Sequence, residues 1–120
     1  MSTTESAVIR WASLTQTTLL PGVSAATRMG AQLSATLFHL EPHAVVPRHS
    51  HPNEEFGQLI TGSLTLAAGA ETMNLVAGEA FLIPGDVPHS ATAGAHGCTL
   101  LECYAPPRNP DPASQKEATQ

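Results

Sequence analysis

Two histidines and a glutamate stand at short, regular spacing near the middle of the chain, at His49, His51 and Glu55. Alternate residues of a strand point to the same side, so His49 and His51 would share one face. Pro52 and Asn53 would bend the chain, and Glu55 keeps the same parity. Imidazole and carboxylate groups bind first-row divalent metals. The spacing therefore predicts a three-ligand metal site.

A fourth ligand is predicted at His89, which ends the stretch Pro84-Gly85-Asp86-Val87-Pro88-His89. A proline ring fixes the backbone φ angle, so Pro84 and Pro88 would form a rigid corner that delivers His89 from a neighbouring strand. We expect one divalent ion per chain, and ligand type alone does not choose among Fe, Mn, Ni, Co and Zn. The expected ligands are His49, His51, Glu55 and His89.

The surrounding segments have the pattern of short strands separated by glycine and proline turns, which is typical of an all-β sandwich or barrel. Residues 31–40 alternate, and His39 falls on the more apolar face, where it would enter the cavity or lie at the barrel rim. Residues 15–20 fit a strand or a turn of helix equally well. Further strand-like runs are 55–61, 63–67, 71–76, 80–83 and 98–104.

The length of 120 residues is that of one domain. We expect a flexible N-terminus over residues 1–7 and a barrel over residues 8–105. Residues 106–120 contain four prolines and should form a largely disordered tail.

Composition excludes several classes of function. Five basic residues, scattered singly, face ten acidic ones, so no basic stripe exists for nucleic acid. No apolar run approaches the roughly 18–20 residues of a membrane span, and residues 1–7 lack the pattern of a signal peptide. Cys98 and Cys103 are five residues apart, hence on opposite faces of one strand. Two reduced thiols favour a cytoplasmic location.

The histidine motif resembles the first motif of the cupins, G-x5-H-x-H-x3-E-x6-G. It matches at His49, His51, Glu55 and Gly62, and it departs at the first glycine, where His43 stands. The resemblance implies an all-β single domain, a double-stranded β-helix or jelly-roll barrel. Its six to eight strands would form two antiparallel sheets with the metal inside.

The second cupin motif, G-x5-P-x-G-x2-H-x3-N, is matched more loosely. Gly78, Pro84 and His89 are in place, Gly85 follows the proline directly, and Ala93 replaces the asparagine. The two motifs together span residues 43–93.

The C-terminal strand is similar to that of the uronate-linearising, KdgF-type cupins. Their Asp-Val-Phe-Ser-Pro-x-Arg ending is matched by Glu102, Tyr104 and Arg108, and the runs 49–55 and 21–23 also resemble theirs. That family often has glutamine where this chain has Glu55. The resemblance implies that the acidic residue Glu102 and the basic residue Arg108 lie near the metal.

The resemblance implies an enzyme acting on a small acidic metabolite, a lyase, isomerase or ring-opening enzyme of a uronate or keto acid. The metal would polarise a substrate oxygen, and Glu102 would move a proton with a pKa raised by burial. Tyr104 would line the pocket and donate a hydrogen bond, and Arg108 would hold a substrate carboxylate.

Two alternatives remain open. The negative charge of Glu55 favours a redox-capable ion, which would suit an Fe(II) or Mn(II) dioxygenase. A non-catalytic cupin that binds a small molecule is the other. Phe56 and Ile60 lie on the outward face of their strand, and this predicts a homodimer.

Overall fold

The computed structural model describes residues 6–111, and within this range the regular structure is almost entirely β. A short 3-10 helix covers Trp11–Ser13. The prediction of an all-β chain is confirmed, and the ambiguous segment at 15–20 contains a strand. The strands are β1 (Thr17–Leu20), β2 (Val23–Met29), β3 (Ser34–Leu40), β4 (Val45–His49), β5 (Glu54–Ala68), β6 (Glu71–Val76), β7 (Ala80–Ile83) and β8 (His89–Ala105).

All strand pairings are antiparallel, and the long strands β5 and β8 are partners over most of their length. The sheet order is β1-β2-β3-β8-β5-β6, with β4 on β8 and β7 on β5. The β5–β8 register shifts between Leu59 and Leu64, where Gly62 has a φ of 80°. A Cβ on Gly62 would lie 2.0 Å from the carbonyl oxygen of Gly97, so only glycine allows the strands to meet there.

The sheet folds over on itself at this irregularity. Glu55 pairs with Tyr104 at one end of β5, and Ala68 pairs with His89 at the other. In a flat sheet, 13 residues (55 to 68) would separate these pairs by about 40 Å. The carboxylate of Glu55 instead lies 3.4 Å from the ring of His89. Both ends of the long strands therefore meet at one mouth of the barrel, and the bend closes the other end.

The inward face of β3 is the reverse of the one that its apolar pattern suggested. His39 is exposed, with its Nδ1 3.3 Å from the Thr99 hydroxyl, so an entry of His39 into the cavity is wrong. Ser34 and Thr36 are buried although polar, because both hydroxyls find partners. Thr36 bonds to the Thr27 hydroxyl at 2.8 Å, and Ser34 bonds to the main chain near the C-terminus.

The hydrophobic core lies behind the mouth of the barrel, and part of it lines the cavity described below. Cys98 belongs to the core, and Cys98 and Cys103 are both free thiols. No helix among residues 6–111 is long and apolar enough to cross a membrane. The buried core residues are Val23, Ala25, Phe38, Leu40, Leu59, Leu64, Leu66, Leu75, Phe81, Ile83, Ala93, Cys98 and Leu100.

The chain continues beyond β8 along the barrel as far as Asp111. Asn53 donates from its amide nitrogen to the carbonyl of Pro106 at 2.6 Å. The Ser34 hydroxyl donates to the Arg108 carbonyl at 2.8 Å and accepts from the Arg108 N–H at 2.9 Å. Residues 1–5 and 112–120 lie outside the described residues, so the flexible N-terminus and the disordered tail stay predictions.

Candidate metal centre and its cavity

Three imidazole rings converge at the mouth of the barrel. One nitrogen from each of His49, His51 and His89 lies within 4.8 Å of the others. Strand pairing places His49 directly opposite His89, and His51 comes from the link between β4 and β5. The structure thus brings together histidines that lie up to 40 residues apart in sequence (49 to 89).

The predicted proline corner holds the third ring. The N–H of Asp86 donates to the carbonyl of His51 at 2.8 Å, which ties the corner to the segment that bears the second ring. A Cβ on Gly85 would lie 2.3 Å from the Pro52 carbonyl oxygen, so the two segments approach closely only with glycine there. The hydrogen bond of Asp86 fixes the chain three residues before His89.

Backbone carbonyl groups orient all three rings. Each Nδ1 lies within 3.2 Å of a carbonyl oxygen two residues away in sequence. A carbonyl oxygen only accepts, so each Nδ1 carries the proton and donates it, and each neutral ring keeps its Nε2 lone pair for another partner. The pairs are His49 with Pro47 at 2.8 Å, His51 with Asn53 at 3.2 Å, and His89 with Val87 at 2.8 Å.

Glu55 completes the cluster. Its Oε1 lies 3.1 Å from Nε2 of His51 and 3.4 Å from Nε2 of His89. Neutral rings protonated at Nδ1 would present Nε2 lone pairs to the carboxylate, an arrangement that requires a cation or extra protons between them. The buried Nε2 of His89 has no hydrogen-bond partner. Three ring nitrogens and one carboxylate fit a first-row divalent ion.

The electrostatics of the cluster keep the carboxylate ionised. Burial opposes the charge of Glu55, but the polar groups of His51, His89 and Glu102 around it outweigh this effect and lower the pKa of Glu55 to about 2. Burial also opposes the charge of His89, yet Glu55 and the Val87 carbonyl raise the pKa of that ring. The site therefore attracts positive charge.

A second acid lies beside the first. Tyr104 donates its hydroxyl to Oε1 of Glu102. Burial, followed by the negative charge of Glu55, raises the pKa of Glu102 well above its usual value. The surroundings therefore favour the protonated form of Glu102 beside the ionised Glu55.

Arg108 is held at the same mouth through its main-chain bonds to Ser34. Its charge reaches the cluster: it adds slightly to the lowering of the pKa of His49, which burial causes in the main, and it partly offsets the raised pKa values of His89 and Glu102. The structure thus brings the predicted metal ligands and the predicted catalytic residues together around one cavity. Their roles as ligands and as catalytic groups stay predictions.

The cavity holds about 290 Å³, at the lower end of the range for small-molecule sites. His49, Glu55, His89, Glu102, Tyr104 and Arg108 all line it. The apolar lining of the cavity, which includes Leu19, Leu20 and Phe38, was not predicted from the sequence. Residues 34, 36, 38 and 40 share one face of β3. This alternation could have indicated that Phe38 lines the cavity.

The sequence profile of the cupin domain matches residues 36–101 of this chain. The match covers more than half of the chain, and the chain belongs to the cupin family. The predictions of a small single-domain cupin and of its fold class are confirmed.

Solved structures show the same fold. KdgF from Halomonas sp. is 20% identical with a TM-score of 0.82, over 88% of this chain and 97% of that one. An RmlC-like cupin from Shewanella frigidimarina is 18% identical with a TM-score of 0.80, over 88% of this chain and 95% of that one.

A larger protein contains a similar unit. A variant of oxalate decarboxylase from Bacillus subtilis is 20% identical with a TM-score of 0.75, over 88% of this chain. This chain spans only 32% of that protein. No curated protein matches the chain.

Proposed function

We propose that this chain is a metal-dependent enzyme that acts on a small acidic metabolite, as a lyase, isomerase or ring-opening enzyme of a uronate or keto acid. The observation that carries the proposal is the placement of Glu102 and Arg108 in the same cavity wall as the histidine cluster. Similarity to KdgF and to an enzyme named for a small dicarboxylic acid supports an acidic substrate.

The metal would be held by His49, His51, Glu55 and His89, and when bound it supplies Lewis acidity that polarises a substrate oxygen. The carbonyl contacts at each Nδ1 keep the rings in position. Glu55 is already ionised, so it needs to lose no proton on binding an ion.

Glu102 is the proposed proton-transfer group. In its neutral form it donates a proton to the substrate, and the hydrogen bond from Tyr104 then stabilises the carboxylate that remains. Arg108 presents a planar guanidinium that can hold a substrate carboxylate through two hydrogen bonds.

The direct test is turnover of a panel of uronates and keto acids by the metal-loaded protein under nitrogen. Glu102→Gln keeps the shape of the side chain but loses the transferable proton, and it should lower kcat about 10²–10⁴-fold. Glu71→Gln, on exposed strand β6, is the matched control and should keep full activity. Equal activity of Glu102→Gln and wild type would exclude the proposed role.

The dioxygenase alternative rests on the charge of Glu55. An ionised carboxylate among the three rings stabilises a higher oxidation state of the ion than a neutral ligand would. Oxygen consumption by the Fe(II)-loaded protein, with no turnover under nitrogen, would favour this alternative. Ligand binding without turnover in either atmosphere would leave a binding protein.

We also propose that the protein works as a homodimer in the cytoplasm. The outward face of β5 presents Phe56 and Ile60, which are 39% and 47% exposed. The adjacent Leu82, paired with Phe56 across β7, extends this apolar surface. The free thiols Cys98 and Cys103 support a reducing compartment.

A further inference from the structure

On β3, β5 and β8, the inward face is polar beside the metal cluster, whereas on β7 the same rows end in the apolar Ile83 and Phe81. Tyr104 lies in one cross-strand row with Ser34 of β3 and Glu55 of β5. In the next inward-facing row, Glu102 lies opposite Thr36. Every one of these side chains on β3, β5 and β8 carries a hydrogen-bonding group.

The same face becomes apolar one row deeper. Leu100 lies opposite Phe38 on one side and Leu59 on the other. The following row pairs Cys98 with Leu40. Successive inward-facing rows are about 7 Å apart, so the change occurs within the length of a small metabolite.

The opposite wall of the barrel changes at the same depth. His89 is paired with His49 and Ala68 at the mouth. The next inward row consists of Ala91 with Val46 and Leu66. The two walls thus share a polar mouth and an apolar interior.

The cavity spans both zones. Its remaining polar lining residues, Arg48 and Ser90, are sequence neighbours of His49 and His89 and belong to the mouth. Among the described residues that line the cavity, those deeper than the Glu102 row have hydrocarbon side chains. They include Val23, Phe38, Leu40, Leu66 and Leu100, with Leu19 and Leu20 of the edge strand β1 beside them.

We infer that the substrate is an acid with one apolar end, a keto acid bearing an aliphatic or aromatic group and not a polyhydroxylated sugar acid. This inference rests on the proposed function and narrows its substrate class. The acidic end lies against the histidine cluster and Arg108, and the apolar end lies against Phe38, Leu66 and Leu100.

The free-energy cost of burying hydroxyl groups favours a keto acid with an apolar end over a sugar acid. The hydroxyl groups of a sugar acid would be buried against side chains that cannot hydrogen-bond, and each unpaired hydroxyl weakens binding by about tenfold. Each methylene placed there instead strengthens binding by about fourfold. A longer apolar chain therefore gains affinity until the cavity is full.

The test is calorimetric titration of the metal-loaded protein with acetate, butyrate, hexanoate, phenylpropionate and galacturonate. Hexanoate should bind about fifteenfold more tightly than butyrate, because two methylenes are added. Galacturonate should bind at least tenfold more weakly than hexanoate. A flat series, tighter binding of galacturonate, or no binding of any acid would overturn the inference.

A variant pair locates the apolar end. Leu19 is half-buried on edge strand β1, so Leu19→Ser should fold, and it should weaken hexanoate about fivefold while leaving acetate unchanged. Val76→Ser, at an exposed position of β6, should change neither. An equal loss for both acids in Leu19→Ser would contradict the placement.

The outcomes separate this inference from the proposed activity. If the affinity series holds but no keto acid is turned over, the enzyme assignment fails and the ligand class stands. If uronates are bound tightly and turned over, the enzyme assignment stands and this inference fails.

Discussion

At the scale of single residues, backbone carbonyl groups set the orientation of each candidate histidine ligand. The three Nδ1–carbonyl contacts select one tautomer and aim the Nε2 lone pairs at a common point. Since the ring orientations are fixed by the fold, little conformational entropy is lost when a cation binds there. The cluster is therefore prepared for an ion by the backbone around it.

Removing one ring should abolish metal binding without unfolding the barrel. His49→Ala and His89→Ala each delete one nitrogen ligand, so we expect metal content to fall by at least tenfold with an unchanged circular dichroism spectrum. Elemental analysis of the purified protein measures this.

His39→Ala is the matched control, because His39 is exposed and contacts Thr99 outside the cavity. It should keep the metal content of wild type. Full occupancy in both His49→Ala and His89→Ala would show that these residues do not bind the ion.

Gly57 is required by an aromatic ring. A Cβ on Gly57 would lie 2.0 Å from Cζ of Phe81, its neighbour across β7. We expect Gly57→Ala to lower the free energy of unfolding by about 1–3 kcal/mol, because the ring must move within a filled core. Urea denaturation measures the change.

The double variant Gly57→Ala/Phe81→Leu tests the cause. A smaller leucine leaves room for the methyl group, so the two substitutions should be less destabilising together than the sum of their separate effects. Strict additivity would show that the glycine serves another purpose.

The convergence of His49, His51, Glu55 and His89 could be predicted because strand parity and the two histidine motifs are local properties. The partners of each Nδ1 could not, since they are main-chain carbonyl groups with no signature in the residue types. The raised pKa of Glu102 could not be predicted in detail either, because it depends on the pairing of β5 with β8, which brings the charge of Glu55 near a residue 47 positions away (55 to 102).

At the scale of elements, Gly62 lies within a strand, although its position in the sequence suggested a turn between two strands. The runs 55–61 and 63–67 are one strand, β5, and Gly62 marks its bend instead of its end. β8 likewise begins at His89, nine residues before the run predicted at 98. Glycines inside long strands can form bulges and sharp bends, and sequence alone does not distinguish these from turns.

The outward face of β5 and β7 should control the oligomeric state. Phe56→Asp introduces a charge at the centre of the apolar surface formed with Ile60 and Leu82, and it should convert the expected dimer to a monomer. Sedimentation velocity at several protein concentrations measures this.

Val45→Asp provides the control, because Val45 is 52% exposed but lies on β4. It should leave the dimer intact. A wild-type protein that sediments as a monomer at all concentrations would exclude the proposed interface.

At the scale of the whole molecule, the site is built from strand ends that would lie far apart in a flat sheet and that the bend of the sheet brings together. The candidate ligands come from β4, from the β4–β5 link, from β5 and from β8. An ion bound by all of them would link these segments, and an ion that binds only the folded state stabilises it.

Removal of the metal should therefore lower the melting temperature. At a free metal concentration 100 times Kd, binding contributes about 2.7 kcal/mol. For a domain of this size, that corresponds to a loss of about 10 °C or more when a chelator is added. Differential scanning calorimetry measures it, and His89→Ala, which should lack the ion, should show no shift.

The central claim is that one divalent ion is bound by three ring nitrogens and one carboxylate. Anomalous diffraction from crystals of the metal-loaded protein tests it most directly. We predict a single strong peak per chain, about 2.1 Å from Nε2 of His49, His51 and His89 and in contact with the carboxylate of Glu55. A peak elsewhere, or an ion bound by fewer than three of these rings, would contradict the account.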